Sequence, residues 1–252
     1  MTLSERHMLI LNVLESSGKV SVSHLSELAH VSEMTIRRDL EALERDGLLR
    51  RVHGGAVSTV SLSYEPPFSV RAQRNAETKA RLAAKAGSLI ADGETVILDV
   101  GTTVTEVARA IRGRKNLTVF TANLWAADLL ADEPGINLMV SGGKVRPGER
   151  SLVGDYATHA FKDLVFDTFI MGIAAIDGEL GFTEYNLEDA HVKRAALRAA
   201  RRCIVVADSS KLAKVAFSKV CPLDGVDILV TDAGVEKHMK MFEMHEIEIV
   251  IA

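Results

Sequence analysis

Between Thr95 and the C-terminus, seven short runs of mainly aliphatic residues recur. They are Thr95–Asp99, Leu117–Thr121, Ile136–Val140, Asp167–Ile173, Cys203–Ala207, Val226–Thr231 and Ile247–Ile251. Each has the length of a strand, and most of the gaps between them can hold a helix. Strands that alternate with helices form a mainly parallel sheet covered on both faces, so this part of the chain is confined to the α/β class. Hydrophobic residues make up 47% of the 252 and charged residues 25%, enough for a sizeable core and too much for disorder over most of the length.

In open parallel sheets, ligands bind beyond the carboxyl ends of the strands. The first run ends in Asp99-Val100-Gly101-Thr102-Thr103 and enters a helix. There the glycine admits close approach of the backbone, and hydroxyls and free helix N–H groups can hold an anion. The second run leads into Thr121-Ala122-Asn123, the third into Ser141-Gly142-Gly143-Lys144, and the fifth into Asp208-Ser209-Ser210-Lys211. The sixth run leads into Thr231-Asp232. Lys193 lies on the helix before the fifth run. Small hydroxylated loops with a few lysines and aspartates suit a phosphorylated polyol. Each loop taken alone is also ordinary turn chemistry; their number points to a ligand. No P-loop is present and no G-x-G-x-x-G follows a strand, which argues against a nucleotide cofactor. No metal-ligand spacing occurs.

The first 57 residues carry a different period. Leu9, Ile10, Val13 and Leu14 recur at helical spacing after Ser4, a candidate N-cap, and the helix ends near Gly18. A second helix is expected after Ser23, with Leu25, Leu28 and Ala29 inward. A third, capped by Ser32, runs from Glu33 to about Asp46, and Gly47 closes it. Ile36, Leu40 and Leu43 fall on one stripe of that helix, with Met34, Arg38, Glu41 and Arg45 opposite and Thr35 and Arg37 on the flanks. A tight turn before a helix with open arginines describes a helix-turn-helix, whose third helix fits the DNA major groove. Leu48 to Val52, the turn His53-Gly54-Gly55 and Ala56-Val57 then read as a β-hairpin wing, with Arg50 and Arg51 placed for phosphates.

Charge alone does not demand DNA. The whole chain carries −4, and residues 1–57 hold seven basic and eight acidic side chains, so any DNA contact needs a local cluster. Three-helix modules of this size also bind protein. Residues 58–75, rich in serine and carrying Pro66-Pro67, read as a linker between a domain at 1–57 and one at 76–252. The charge run from Arg71 to Arg81 reads as a solvated face. No apolar run approaches the roughly 18 residues of a membrane span. The start lacks a basic leader, and Cys203 and Cys221 are too few for a disulfide framework, so a cytoplasmic location is expected.

Together the run VSEMTIRRDLEALERDGLLRRVHGGAV and the segments ILDVGTTVTEVA, LMVSGGKVRPGERSLVG and VVADSSKLAKVAFSKV resemble the DeoR family of bacterial transcriptional regulators over nearly the whole chain. The resemblance implies a winged helix-turn-helix followed by an effector domain related to the ribose-5-phosphate isomerase and CoA-transferase folds. It carries DNA contact onto Thr35, Arg37 and Arg38 and wing contact onto Arg51, His53 and Gly54; the helical wheel independently supports Arg38 and, less strongly, Arg37. Asp39 is expected to orient an arginine or cap locally. It also carries effector binding onto Asp99, Gly101, Thr102, Thr103, Gly142, Gly143, Lys193, Asp208 and Lys211. Family members often place Asn directly after Thr at the end of the second strand. Here Ala122 intervenes before Asn123, which enters the candidate site with that departure.

The expected function is therefore a transcription factor, most often a repressor of carbohydrate catabolism genes in this family. Its expected partners are double-stranded operator DNA, a phosphorylated sugar or related metabolite, and further copies of itself; a cofactor is not expected. The alternatives are a sugar-phosphate isomerase with an accessory DNA-binding head, for which Asp99, Asp208 and Glu184 are the candidate acid/base groups, and a scaffold whose head binds protein.

Overall fold

The structure is a computed structural model that describes residues 2–58 and 61–252. The chain divides into two compact units, residues 1–66 and 67–252.

In the first unit, α1 (Leu3–Ser17) is followed by β1 (Lys19–Ser21), α2 (Val22–Ala29), α3 (Glu33–Arg45), β2 (Arg50–Val52) and β3 (Gly55–Val57). The three strands form one sheet in the order β1-β3-β2. Gly18 and Gly47, both at positive φ, end α1 and follow α3, as the sequence predicts. The caps differ from expectation at two helices. Thr2, with Glu5 answering it in a capping box, starts α1; Ser4 falls inside the helix, and its side chain lies outside the described residues. Ser21 rather than Ser23 caps α2, because β1 hands over directly to the helix and Ser21 is the last extended residue before it. Ile36, Leu40 and Leu43 of α3 are buried against Ile10, Leu14 and Leu25. Gly55 is where the wing touches the scaffold: β3 pairs with β1 so closely that a Cβ there would collide with the Val20 carbonyl oxygen. The Gly54 carbonyl accepts from Val22 N–H at 2.8 Å and ties the wing's turn to α2.

The second unit opens with α4 (Phe68–Gln73) inside the stretch that reads as a linker, then α5 (Ala76–Ser88). The chain continues through β4 (Thr95–Leu98), α6 (Thr102–Ala110), β5 (Leu117–Thr121), α7 (Leu124–Leu130), β6 (Ile136–Val140), β7 (Lys144–Val145), β8 (Leu152–Val153) and α8 (Asp155–His159). It ends with β9 (Phe166–Met171), β10 (Ala175–Asp177), β11 (Gly181–Glu184), α9 (Leu187–Ala199), β12 (Ala200–Val206), β13 (Ser218–Cys221), β14 (Ile228–Thr231) and β15 (Glu248–Ile251).

All seven aliphatic runs become strands of one sheet, ordered β15-β14-β12-β9-β4-β5-β6, and every neighbouring pair is parallel. One face packs Leu82, Ala86, Val104 and Val107 of α5 and α6 against Val96, Leu98, Ile170 and Ile204. The other packs Ala195 and Ala196 of α9 against Phe169, Met171 and Val205. Phe169 is fully buried, and burying such a side chain contributes about 1.5–3 kcal/mol. From β4 the chain winds outward through β5 to β6, returns to β9 on the other side of β4, and continues outward to β15. The order therefore reverses between β4 and β9, and that opening at their carboxyl ends is where a doubly wound sheet accepts a ligand.

Candidate functional site

Two surfaces hold the chemistry, one in each unit. On α3, the Ser32 side chain accepts from Thr35 N–H at 3.2 Å and shares a 2.9 Å hydrogen bond with the Thr35 hydroxyl. Asp39 turns inward and, as the sequence predicts, orients an arginine. Its carboxylate receives Arg6 Nε at 2.8 Å and Arg6 Nη2 at 3.1 Å, pinning α3 to α1. Arg37 is exposed and pairs with Glu33 one turn back at 2.9 Å. Arg38 is exposed and, among the described residues, makes no ion pair. His53 and Gly54 form the exposed wing turn. Arg51 is differently placed: its Nη1 meets Glu41 at 2.7 Å, its Nε meets Glu44 at 2.7 Å, and its backbone N–H donates to Glu44 at 2.8 Å. Those bonds hold the Glu44 carboxyl below the usual carboxylate range and raise the Arg51 guanidinium further.

In the second unit the reversal point is occupied by Asp99, immediately after β4, and by Lys193, on the inward face of α9. Lys193 is 1% exposed and Asp99 4%. The Lys193 ammonium bonds to Asp99 Oδ2, donates to the Gly172 carbonyl at 3.0 Å and lies 3.3 Å from Glu184 Oε2. Gly172 N–H, just past β9, donates to the same Asp99 oxygen at 2.9 Å. Burial works against the charge on both partners. It pushes the Asp99 carboxyl up against the pull of Lys193, whereas Asp99 and Glu184 outweigh burial at Lys193 and hold the ammonium above its ordinary value.

Gly101, at φ 103°, precedes α6 and leaves its N-terminus without a side-chain cap. Thr102 and Thr103 form the first turn, with Thr102 buried and Thr103 half-buried. Asn123 is a buried brace. Its Oδ1 accepts from Trp125 and Ala126 N–H at 3.0 and 3.2 Å and so caps α7. Its Nδ2 donates to the Asp99 carbonyl and the Thr105 hydroxyl, each at 3.2 Å. All four of its amide hydrogen-bonding positions are thus used within the chain. Asp208, after β12, accepts from Asn75 Nδ2 at 3.2 Å and Ser210 N–H at 3.1 Å. Lys211 follows on the same turn. Gly142 and Gly143 stand apart: they follow the edge strand β6, are exposed, and make no hydrogen bond to the Asp99 cluster among the described residues.

Sequence reading missed Gly172, Asn75 and Lys79, and took Glu184 only as a possible base of an enzyme. Lys79 overturns the reading of Arg71–Arg81 as solvated. It is 5% exposed, its ammonium donates to the Arg71 carbonyl at the end of α4, and burial pulls its pKa down to about 8. Asp208 opposes that shift, while Lys211, Arg71 and Arg74 add to it. The signal was present in the spacing: Lys79 lies three, four and seven residues before Leu82, Ala83 and Ala86, on the buried stripe.

The same end of the unit fastens α4. Arg71 pairs with Glu149, and Phe68 stacks on Trp125 with ring centroids 5.1 Å apart. The Arg150 guanidinium lies 4.1 Å from the centre of the Trp125 ring. Arg146, on the same loop as Glu149 and Arg150, pairs with Asp189 in the first turn of α9.

Comparison with known proteins follows the same division. Residues 6–61 match the model of the DeoR-like helix-turn-helix domain, and residues 74–233 that of the DeoR C-terminal sensor domain. The chain is 34% identical to a glycerol-3-phosphate regulon repressor of Haemophilus influenzae, over 90% of this chain and 89% of that protein. It is 30% identical to the HTH-type transcriptional regulator GolR of Listeria innocua, over 98% of each. Among solved structures, ribose 5-phosphate isomerase A of Neisseria gonorrhoeae overlaps 54% of this chain and 53% of its own, at 18% identity and a TM-score of 0.37, a partial likeness from which nothing further follows. Among the described residues no helix is long and apolar enough to cross a membrane.

Proposed function

The chain belongs to the DeoR family of DNA-binding transcriptional regulators, and on that premise we propose that it represses genes of carbohydrate use and is released by a phosphorylated sugar or related metabolite. The observation that carries the effector half is the buried Lys193–Asp99–Glu184 cluster at the reversal point, beside an uncapped helix N-terminus. The N–H groups of the first turn of α6 and the threonine hydroxyls suit a phosphate. Lys79 and Lys211 supply neutralising charge, and the Asp99 and Asp208 carboxylates suit sugar hydroxyls. That the relatives include repressors of a glycerol-3-phosphate regulon supports the same class of effector. On the DNA side, Thr35, Arg37 and Arg38 enter the major groove, and Arg51, His53 and Gly54 meet the backbone. One recognition helix reads only a few base pairs, so tight binding calls for an oligomer.

The route between the two functions runs through α4. Lys79 holds its end, and the loop 146–150 holds its side and reaches α9 through Arg146. A phosphate that draws on Lys79 weakens the hold on the Arg71 carbonyl, and α4 is the first element after the DNA-binding unit. An isomerase reading needs a carboxylate able to take a proton, for which Asp99, Glu184 and Asp208 are the candidates; that the relatives are named as transcriptional regulators favours the regulator reading over it.

The test is a thermal-shift screen of phosphorylated metabolites, glycerol 3-phosphate and hexose phosphates first, repeated with Thr102→Glu and with promoter DNA. A carboxylate in the first turn of α6 occupies the anion site. The expected result is loss of the metabolite-induced shift, with DNA binding either insensitive to metabolite or permanently released. Wild-type metabolite affinity and wild-type DNA response together refute the site.

A further inference from the structure

The wing's Arg51 is placed for a phosphate contact, yet two carboxylates already counter its charge. Glu41 and Glu44 sit one turn apart on α3 and both close on its guanidinium, at 2.7 Å each. Its neighbour Arg50 is exposed and, among the described residues, makes no ion pair. The two carboxylates are themselves accessible, at 52% and 36% side-chain exposure, so they do not serve the core.

Phosphate attraction is the sequence-independent part of DNA affinity, common to every duplex in the cell. Specificity is a difference of affinities, and it is gained by penalising wrong partners as well as by rewarding the right one. A guanidinium held by two carboxylates has exchanged its attraction for any phosphate against an internal pairing. It is given up to DNA only where the rest of the interface, led by base contacts from α3, holds the wing in register.

We propose that Glu41 and Glu44 are specificity-setting residues that hold Arg51 in check and suppress binding to DNA of arbitrary sequence. In this arrangement the carboxylates act through Arg51. They lower its phosphate affinity and the salt sensitivity that goes with it, and they touch no base.

The experiment measures fluorescence anisotropy of a labelled mixed-sequence duplex with the full chain over a range of salt concentrations. Glu41→Gln/Glu44→Gln binds that duplex several-fold more tightly than the parent, and its log-affinity falls more steeply with log-salt by about 0.9, one phosphate's worth. Adding Arg51→Ala removes that gain. Gln at 44 keeps an acceptor for the Arg51 N–H. If the double variant still fails to fold, Glu41→Gln alone, which touches only the guanidinium, shows a smaller gain that Arg51→Ala likewise cancels. An equal gain in the Arg51→Ala background overturns the proposal, because the carboxylates then act only through net charge. No gain in either variant overturns it as well.

Discussion

The two units place their polar chemistry on opposite sides of the surface. In the DNA-binding unit, the residues assigned to DNA are half-buried or exposed, and the helix that carries them is held by other residues: Ile36, Leu40, Leu43 and the inward Asp39. In the sensor unit, the residues assigned to the effector include a buried ammonium, Lys193, and two buried carboxylates, Asp99 and Asp208, and Lys193 and Asp99 also hold strand ends together. Fold and function are separable in the first and superimposed in the second. On the proposed function, the difference follows the size of what each unit recognises. A duplex is larger than the protein unit and must be met outside, whereas a small polar metabolite is discriminated by groups withdrawn from water.

The largest test of that contrast is Lys193→Met. It leaves Asp99 and Glu184 facing each other in the interior without their cation, a situation that costs roughly 3–5 kcal/mol. Urea denaturation followed by tryptophan fluorescence, which reports the sensor unit through Trp125, should show the unfolding free energy falling by that amount and the midpoint falling with it. An unchanged midpoint would mean that the cluster is not what joins β4, β9 and α9. Arg38→Ala is the counterpart in the other unit. It should weaken operator binding by ~1–3 kcal/mol in gel-shift titrations while stability stays within ~0.5 kcal/mol of the parent. A fall in stability as large as the fall in affinity would erase the distinction drawn above.

The smallest effect is one of pH. Lys79 titrates near 8 in the fold, below its ordinary 10.5, so the neutral amine is the form the fold prefers. Between those values the unfolded chain binds more protons, and stability rises with pH. An anion prefers the ammonium. Affinity for a phosphorylated effector should therefore be level below about pH 8 and decline above it, by at most tenfold per unit, in calorimetric titrations at matched salt. Lys79→Arg should remove the decline.

Most of this architecture is legible in the sequence because it is written in aliphatic spacing. The seven runs of the sheet, the stripe of α3 and the open position of Arg38 all follow from which positions must avoid water. The short strands β7, β8, β10, β11 and β13 are not legible, since none of them lies in a mainly aliphatic run like those of the main sheet. Nor is α4, which follows Pro66-Pro67 in a stretch that reads as a break; Pro67 is its N-cap, where a missing N–H is no loss. Charged residues mislead in both directions. Lys79 sits in a run that composition assigns to solvent, although its position on the stripe of Leu82 and Ala86 places it inside. Arg51 looks free to grip phosphate, and nothing in its local spacing shows that Glu41 and Glu44, on another element, reach it first.

Asn123 bears on how genetic data from this protein should be interpreted. Its amide joins the Asp99 carbonyl, Thr105 and the start of α7, and it has no position left for a ligand. A screen for alleles that no longer answer to the metabolite will recover substitutions at Asn123 as readily as at Thr102, since each disturbs the loop that α6 begins from. The two classes are alike in phenotype and unlike in origin. Only the first should also lower the heat tolerance of the purified protein, so heat tolerance sorts alleles of the proposed binding loop from alleles of the brace behind it.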